Sequence, residues 1–259
     1  MSFLDQITPI VIVWNEEPNI TRVFDQLTWA RDVVVVDSGS VDGTLELLAG
    51  YPNVRVLTRP FRSHADQTNF ALHEASITTE WVLSIDADYV LSDDLLAELR
   101  SLDPTPETSG YSANFVYWTL ARPLRGSLYP PRVVLFRASH GEYYQEGHAH
   151  RLRVRGNVGT LAGPVFHDDR KPLSRWLDNQ ERYATLEARR LQGARPADLD
   201  WADRIRRTGS VAPVLVAVYC LFVKGCILDG CAGLHYTFQR VVAESLLAMR
   251  LWEMRTGSE

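Results

Sequence analysis

The sequence predicts an α/β protein: a mainly parallel twisted sheet flanked by helices, with a C-terminal helical extension. Three observations predict it. Short β-branched runs alternate with amphipathic stretches through the first part of the chain, the rhythm of right-handed βαβ units. The apolar run Trp81-Val-Leu-Ser-Ile85 stops at two carboxylates, Asp86 and Asp88, as a buried strand does where it leaves the core. The tail from Val211 is different in kind, apolar to Leu228 with little but Pro213 and Lys224 to interrupt it.

Taken in order, Ile7 to Val13 reads as the first strand and Trp14-Asn-Glu-Glu-Pro18 as the loop after it. Pro18 suits the first turn of a helix whose apolar face is Ile20, Val23, Phe24 and Leu27. Asp32 to Val36 is a second strand, apolar on both faces and ending at Asp37. Ser38-Gly-Ser-Val-Asp-Gly-Thr44 then supplies glycines for unusual backbone angles and Ser, Asp and Thr to cap a helix around Leu45 to Leu48. Val54 to Leu57 is a third strand, a helix runs through Asn69 to Ala75, and the Trp81 strand follows. Ser92-Asp-Asp opens a helix to about Leu102, with its acids placed to complement the N-terminal dipole.

After a turn-rich break at Pro104 to Ser109, Tyr111 to Leu120 and Arg132 to Arg137 read as strands of a less regular half, joined by a loop from Ala121 to Pro131. Val158 to Leu161 and Val165 to His167 are short strands, and Pro172 to Leu191 is an amphipathic helix. This divides the chain into a domain over residues 1–192, with a nucleotide-binding-like half at 1–103 and a less regular half at 104–192, and an extension at 193–259. In the extension Phe238, Val242, Leu246, Met249 and Trp252 share one helix face. Its helices are expected to pack on the domain or on a second copy, or to lie in a membrane interface.

Formal net charge is -5, so a general electrostatic affinity for nucleic acid is not expected. The charge is uneven, however. Between Thr108 and Gly141 there is no acidic residue, while Arg122, Arg125, Arg132 and Arg137 fall inside, and that segment suits an anionic group. Cys220, Cys226 and Cys231 match no zinc or redox spacing and read as reduced residues of an intracellular protein. No basic n-region precedes Ile10 to Val13, so no secretory signal is expected there.

The candidate chemistry gathers at strand ends. In open α/β sheets ligands bind in the crevice beyond the carboxyl ends of the strands. Side chains at i and i+2 of extended backbone project the same way, so Asp86 and Asp88 are expected to share one cation. Such hard oxygen ligands suit Mg²⁺ or Mn²⁺ when substrate phosphates complete the shell. Asp37 ends the neighbouring strand and is placed to accept from a nucleobase N–H, and Trp14 offers a stacking surface for that base.

These stretches resemble a known family. Val11-Ile-Val-Trp-Asn-Glu16, Val34-Val-Val-Asp37-Ser-Gly-Ser-Val-Asp-Gly-Thr44, Arg62 to Asn69 and Ser84-Ile-Asp86-Ala-Asp88 are similar, in order and spacing, to the successive motifs of family 2 glycosyltransferases of the GT-A fold. Gly225-Cys-Ile-Leu-Asp-Gly230 and Gly233-Leu234 resemble the C-terminal signature of the bacterial branch that includes lipopolysaccharide-core β-glucosyltransferases.

The resemblance implies an inverting transfer of a hexose, glucose first, from a UDP-sugar to a saccharide or lipid-linked acceptor, by a cytoplasmic or peripheral membrane enzyme of the bacterial cell envelope. It places Trp14 and Glu16 on the nucleotide, Asp37 on the base, and Arg62, Gln67 and Asn69 near phosphate or donor sugar. Asp86 and Asp88 fill the metal motif, with Asp88 the direct ligand. His167 stands for a later histidine that completes the site, and its nitrogen favours Mn²⁺ over Mg²⁺. For the base that takes the acceptor proton, the motif corresponds to Gln145-Glu-Gly-His-Ala-His150. Glu146 comes first, with His148 or His150 as substitutes and Asp168 or Asp169 behind them. The branch tends to follow its His with Glu, whereas here Ala149 follows His148.

Three other chemistries fit fewer residues. Asp86-Ala-Asp-Tyr-Val90 matches the motif of haloacid-dehalogenase-type phosphatases, with Asp86 as nucleophile, but that motif belongs on a first strand and here two βα units precede it. A nucleotidyltransferase wants a glycine-rich basic loop after the first strand, and Trp14-Asn-Glu-Glu17 is acidic. A non-catalytic binding protein with a relic site has no feature of its own here.

Overall fold

The computed structural model describes residues 2–146 and 149–257. In chain order the first half runs β1 (Ile7–Val13), α1 (Glu17–Phe24), β2 (Val33–Asp37), α2 (Thr44–Leu48), β3 (Val54–Thr58), α3 (His64–Glu74), β4 (Trp81–Asp86), β5 (Tyr89–Leu91) and α4 (Asp93–Ser101). Strands dominate the next stretch: β6 (Thr108–Ala113), β7 (Phe115–Thr119), β8 (Arg122–Pro123), β9 (Arg132–Arg137), β10 (Gly141–Glu146), β11 (Ala149–Val154), β12 (Asn157–Thr160) and β13 (Val165–His167). Helices close the chain: α5 (Leu173–Gly193), α6 (Trp201–Thr208), α7 (Ala212–Val218) and α8 (Gly230–Thr256).

The chain forms two compact units. The first holds Met1–Val116, Tyr129–Gln145 and His150–Arg170. It is built on a seven-stranded sheet of order β12-β6-β9-β4-β1-β2-β3. β1, β2, β3 and β4 are mutually parallel, and β9 enters antiparallel to β4. The valines of β2 are fully buried, as expected of a parallel strand covered on both faces. Strand pleating sends Val11, Val13, Val35, Leu83 and Ile85 into one core layer and Ile10, Val34, Val36, Val82 and Phe136 into the other. Each such side chain contributes about 1.5–3 kcal/mol. Helix starts follow their caps: Ser63 Oγ accepts from the Asp66 amide, and Ser92 Oγ from the Leu95 amide.

The strand order places a switch point between β1 and β4, because the chain winds outward from β1 to β2 and β3 and then returns to the other side of β1 as β4. Crevices form at such points, beyond the carboxyl ends of the strands.

The second unit gathers Tyr117–Leu128, Glu146 and Ala149, and the chain from Lys171 onward. α5, α6 and α7 pack on α8. One core cluster joins Ala184, Ala188 and Leu191 of α5 to Leu247 and Leu251 of α8; another joins Leu124 to Cys220, Cys226, Ala232 and Tyr236. α5 therefore belongs with the C-terminal helices, and the stretch after it leads directly into α6 at Trp201. The Ala121 to Pro131 segment contains β8, which pairs with β7 through Trp118 and Pro123.

The face of α8 that packs within the second unit is not the Phe238–Trp252 stripe. Phe238, Val242, Met249 and Trp252 are exposed, and the buried positions are Ala232, Gly233, Tyr236, Thr237, Leu247, Ala248 and Leu251. Both stripes are apolar, so spacing alone did not separate them. Among the described residues no single helix is long and apolar enough to cross a membrane; Ala212–Val223 with Cys226–Thr256 passes the test only as a pair, bent by 69°.

Candidate active site

Register brings three strand ends together. Val13 of β1 is opposite Asp37 of β2, and Ile12 is opposite Asp86 of β4, so the two acids flank the end of β1. With strands about 4.8 Å apart, their backbones stand on the order of 10 Å apart. Their side chains leave the sheet on opposite faces, since Asp37 alternates with Val36 and Asp86 with Ile85 in complementary phase.

Asp37 is 1% exposed, and its carboxylate accepts from the amides of Gly39 and Ser40. It holds its own loop. That loop is joined to the one after β1: the Asn15 amide donates to Ser40 Oγ, Asn15 Oδ1 accepts from the Val41 amide, and the Glu16 amide donates to Thr44 Oγ1. Asn15 takes a left-handed backbone angle, φ 53°, to make this turn. Glu16 is buried and accepts from Asn19, whereas Trp14 is 45% exposed at the mouth of the joined loops.

Gln67 is fully buried and serves as a bridge, donating to Ser38 Oγ and the Arg59 carbonyl and accepting from the Arg59 guanidinium. Asn69 exchanges hydrogen bonds with the Tyr143 backbone. Arg62 is exposed.

The Asp86-Ala-Asp88 segment is not extended throughout, as the shared-cation expectation required. β4 ends at Asp86, and Ala87 and Asp88 form a turn into β5. The turn carries Asp88 toward β13, which pairs antiparallel with β5 so that His167 faces Tyr89. The Asp168 amide donates to the Asp88 carbonyl, and Asp88 Oδ2 lies 3.3 Å from His167 Nε2. Two ligands held about 2.1 Å from one ion at roughly right angles stand about 3 Å apart, so this carboxylate and imidazole fit a shared divalent cation.

Asp86 instead faces a buried basic and phenolic cluster that the sequence did not reveal. Burial alone would lower the Arg132 guanidinium, but the nearby Tyr89 and Tyr129 phenols and the Asp86 carboxylate outweigh it and hold it charged. Arg132 also stacks over the Tyr129 ring at 4.8 Å. Burial, and then the Asp86 charge, push the Tyr89 phenol well above its ordinary range. The Tyr89 and Tyr129 hydroxyls are hydrogen-bonded to each other, and Tyr143 donates to Ser84 Oγ. Arg132 alone had a sequence signal, its place in the acid-free segment.

Asp168 is held by Arg22, whose Nη1 approaches to 2.6 Å, and by Arg170; Asp169 accepts from Asn19. Both acids anchor the end of β13 to α1. Glu146 is the exposed last residue of β10 and falls in the second unit. His148 lies outside the described residues. His150 is stacked on His64 with ring centroids 5.2 Å apart.

Comparison with known proteins places this geometry in a class. Residues 8–162 match the model of glycosyl transferase family 2. The lipopolysaccharide core biosynthesis glycosyltransferase LpsC of Rhizobium meliloti (strain 1021) is 33% identical over 198 residues, 70% of each chain. An uncharacterized glycosyltransferase of Rickettsia typhi is 32% identical over 111 residues, 42% of this chain and 37% of the relative. Among solved structures, S. aureus TarS in complex with UDP-GlcNAc has 15% identity and a TM-score of 0.48, covering 97% of this chain and 92% of that one. Glucosyl-3-phosphoglycerate synthase from Mycobacterium tuberculosis, with Mn²⁺ and UDP-Glc, has 20% identity and a TM-score of 0.34 over 44% of each chain.

The protein is thus a sugar-transferring enzyme of the α/β class. The chain belongs to glycosyltransferase family 2, which sets aside the phosphatase, nucleotidyltransferase and relic-site readings.

Proposed function

We propose that the chain is an inverting, metal-dependent transferase that moves a hexose, glucose first, from a UDP-sugar to a saccharide or lipid-linked acceptor of the bacterial cell envelope. The likeness to a lipopolysaccharide core biosynthesis enzyme supports the acceptor class. The proposed site of action is the cytoplasmic face of the membrane, with the C-terminal helices as the contact with that surface or with a second copy.

The observation that carries the reading is the Asp88–His167 pair, where the turn after β4 meets β13. These two side chains would hold a divalent ion, Mn²⁺ in preference to Mg²⁺ because one donor is a nitrogen. When bound, that ion neutralises charge on the departing diphosphate. Asp86 acts beside it through water or the donor ribose. Trp14 stacks on the base at the mouth of the joined loops, Glu16 and Asp37 set the loop backbone it rests on, and Gln67 fixes that loop from below. Arg62, exposed at the start of α3, reaches for phosphate. Glu146 accepts the proton of the acceptor hydroxyl as its oxygen attacks the anomeric carbon and the bond to the diphosphate breaks. His148 and His150 are the substitutes for it.

Calorimetry of UDP binding with and without Mn²⁺ tests the donor site. Metal-dependent binding that disappears in Asp88→Ala is expected; metal-independent binding, or an unchanged Asp88→Ala, would sink it. Glu146→Gln is expected to keep UDP affinity and lose transfer, and retained transfer removes Glu146 as the base.

A further inference from the structure

The second unit carries an apolar helix with only one of its sides covered. Ala212, Val216 and Cys220 face the packed side of the segment from α7 through the π-helical turn Tyr219–Val223. The opposite stripe is equally apolar but open to solvent: Val211, Val214, Leu215, Val218 and Phe222, with Val214 65% and Phe222 66% exposed. A helix that is apolar all round belongs inside a core or a membrane. Past the bend at Lys224 and Gly225, Ile227 and Leu228 continue the exposed apolar surface. A contiguous patch of this kind marks an interaction site.

Charge identifies what covers it. From Arg204 to Leu228 there is no acidic residue. The acid-free hairpin of β7 and β8 packs against the same bend: Cys226 Sγ donates to the Gly126 carbonyl, Leu124 sits with Cys220 and Cys226, and Arg125 pairs with Asp229. Arg122 and Leu120 at that hairpin are exposed, and the Lys224 ammonium lies over the Tyr219 ring. Two features separated by about a hundred residues in sequence therefore meet as one apolar surface flanked by cations. A two-fold contact with a second copy would set this cationic surface against itself.

We infer that the bend from Val211 to Leu228, with the Leu120–Arg125 hairpin beside it, inserts into the interface of an anionic lipid bilayer without spanning it. Twelve residues from Ala212 to Val223 make a helix of about 18 Å, short of the roughly 30 Å hydrocarbon core. Depth of insertion follows from the apolar stripe, and preference for anionic lipid from Arg122 and Lys224. This rests on the membrane contact proposed above and narrows it to one surface and one lipid charge, and it needs no donor or acceptor.

The test is flotation of the full chain with vesicles of phosphatidylcholine alone or mixed with phosphatidylglycerol, alongside light scattering of the free protein for its oligomeric state. The intact chain is expected to float with the anionic vesicles, and about fivefold less for each of Arg122→Gln and Lys224→Gln. The triple variant Val214→Ser, Val218→Ser, Phe222→Ser is expected to stay with the soluble fraction while keeping its thermal unfolding and its Mn²⁺-dependent UDP binding. Failure of the intact chain to float, or a dimer that the triple variant dissociates without any change in flotation, would overturn the inference. Loss of UDP binding by the intact chain bears on the proposed reaction and not on this surface.

Discussion

Asp88 Oδ2 and His167 Nε2 stand 3.3 Å apart although Asp88 lies in the turn after β4 and His167 ends β13, with β6 to β12 between β5 and β13 in the chain. Removing the imidazole in His167→Ala is expected to weaken Mn²⁺-supported UDP binding on the order of tenfold or more, and His167→Asp to shift preference toward Mg²⁺, because an all-oxygen shell suits the harder ion. Titration of UDP in each metal reads both effects; equal affinities in all three proteins would remove His167 from the site.

Arg132 is predicted to be a positioning residue for Asp86. Arg132→Met leaves the acid and the phenols without the nearby cation and the stack on Tyr129, and is expected to lower stability. Arg132→Lys keeps the charge but loses the planar stack on Tyr129, and should recover stability in part. Chemical denaturation orders the three proteins, and a pH profile of transfer that moves in Arg132→Lys separates positioning from bulk packing.

For Asp37 the loop role and direct base reading make different predictions. Asp37→Asn loses an acceptor for the Gly39 and Ser40 amides, so a cost of about 1–2 kcal/mol is expected. A fall in UDP affinity with no change in unfolding free energy would instead assign Asp37 to the base.

Alkaline pH should unfold the protein through its phenols. Burial raises Tyr89, Tyr129 and Tyr143, and burial with the Asp25 hydrogen bond pushes Tyr51 to about 12. In the unfolded chain these groups ionise near pH 10. Below that pH their contribution is fully present. Above it the unfolded chain binds fewer protons than the native one, so stability falls as pH rises. Denaturant midpoints followed from about pH 9 to 11 should decline, and Tyr143→Phe should flatten the decline.

Gly233→Ala is expected to be severely destabilising, because a Cβ there would meet the Cys226 carbonyl at 1.7 Å. Gly225 sits at φ +74° in the same bend, so Gly225→Ala is also unfavourable but has space around it. Thermal unfolding should rank Gly233→Ala well below Gly225→Ala.

Much of the parallel sheet was legible in the sequence because its strands are buried on both faces and end at polar residues. Val33–Asp37 and Trp81–Asp86 fall within a residue of where their composition places them. The turn at Ala87–Asp88 was not legible, since a two-residue reversal has no periodicity and Asp-Ala-Asp reads equally well as extended. The hydrogen bonds of the Asp37 carboxylate to its own loop were not legible for a related reason: convergence of strand ends can be read from the order of motifs, but side-chain direction and local partners cannot. Tyr89, Tyr129 and Tyr143 carried no signal, because aromatic residues near a strand end are ordinary core. The C-terminal glycines were noticed only by resemblance, and the bend gives them a steric reason.

The β5–β13 pairing has a consequence for how the molecule comes into being. β1 to β4 can associate as soon as they are synthesised, using contacts between neighbouring segments, but His167 reaches Asp88 only after the chain has closed a loop across all the intervening strands. A nascent chain that has completed β1 to β4 still lacks the imidazole that faces Asp88. The approach of His167 to Asp88 is thus tied to docking of the last strand of the first unit, so the ion site proposed above would be complete only once that strand has paired.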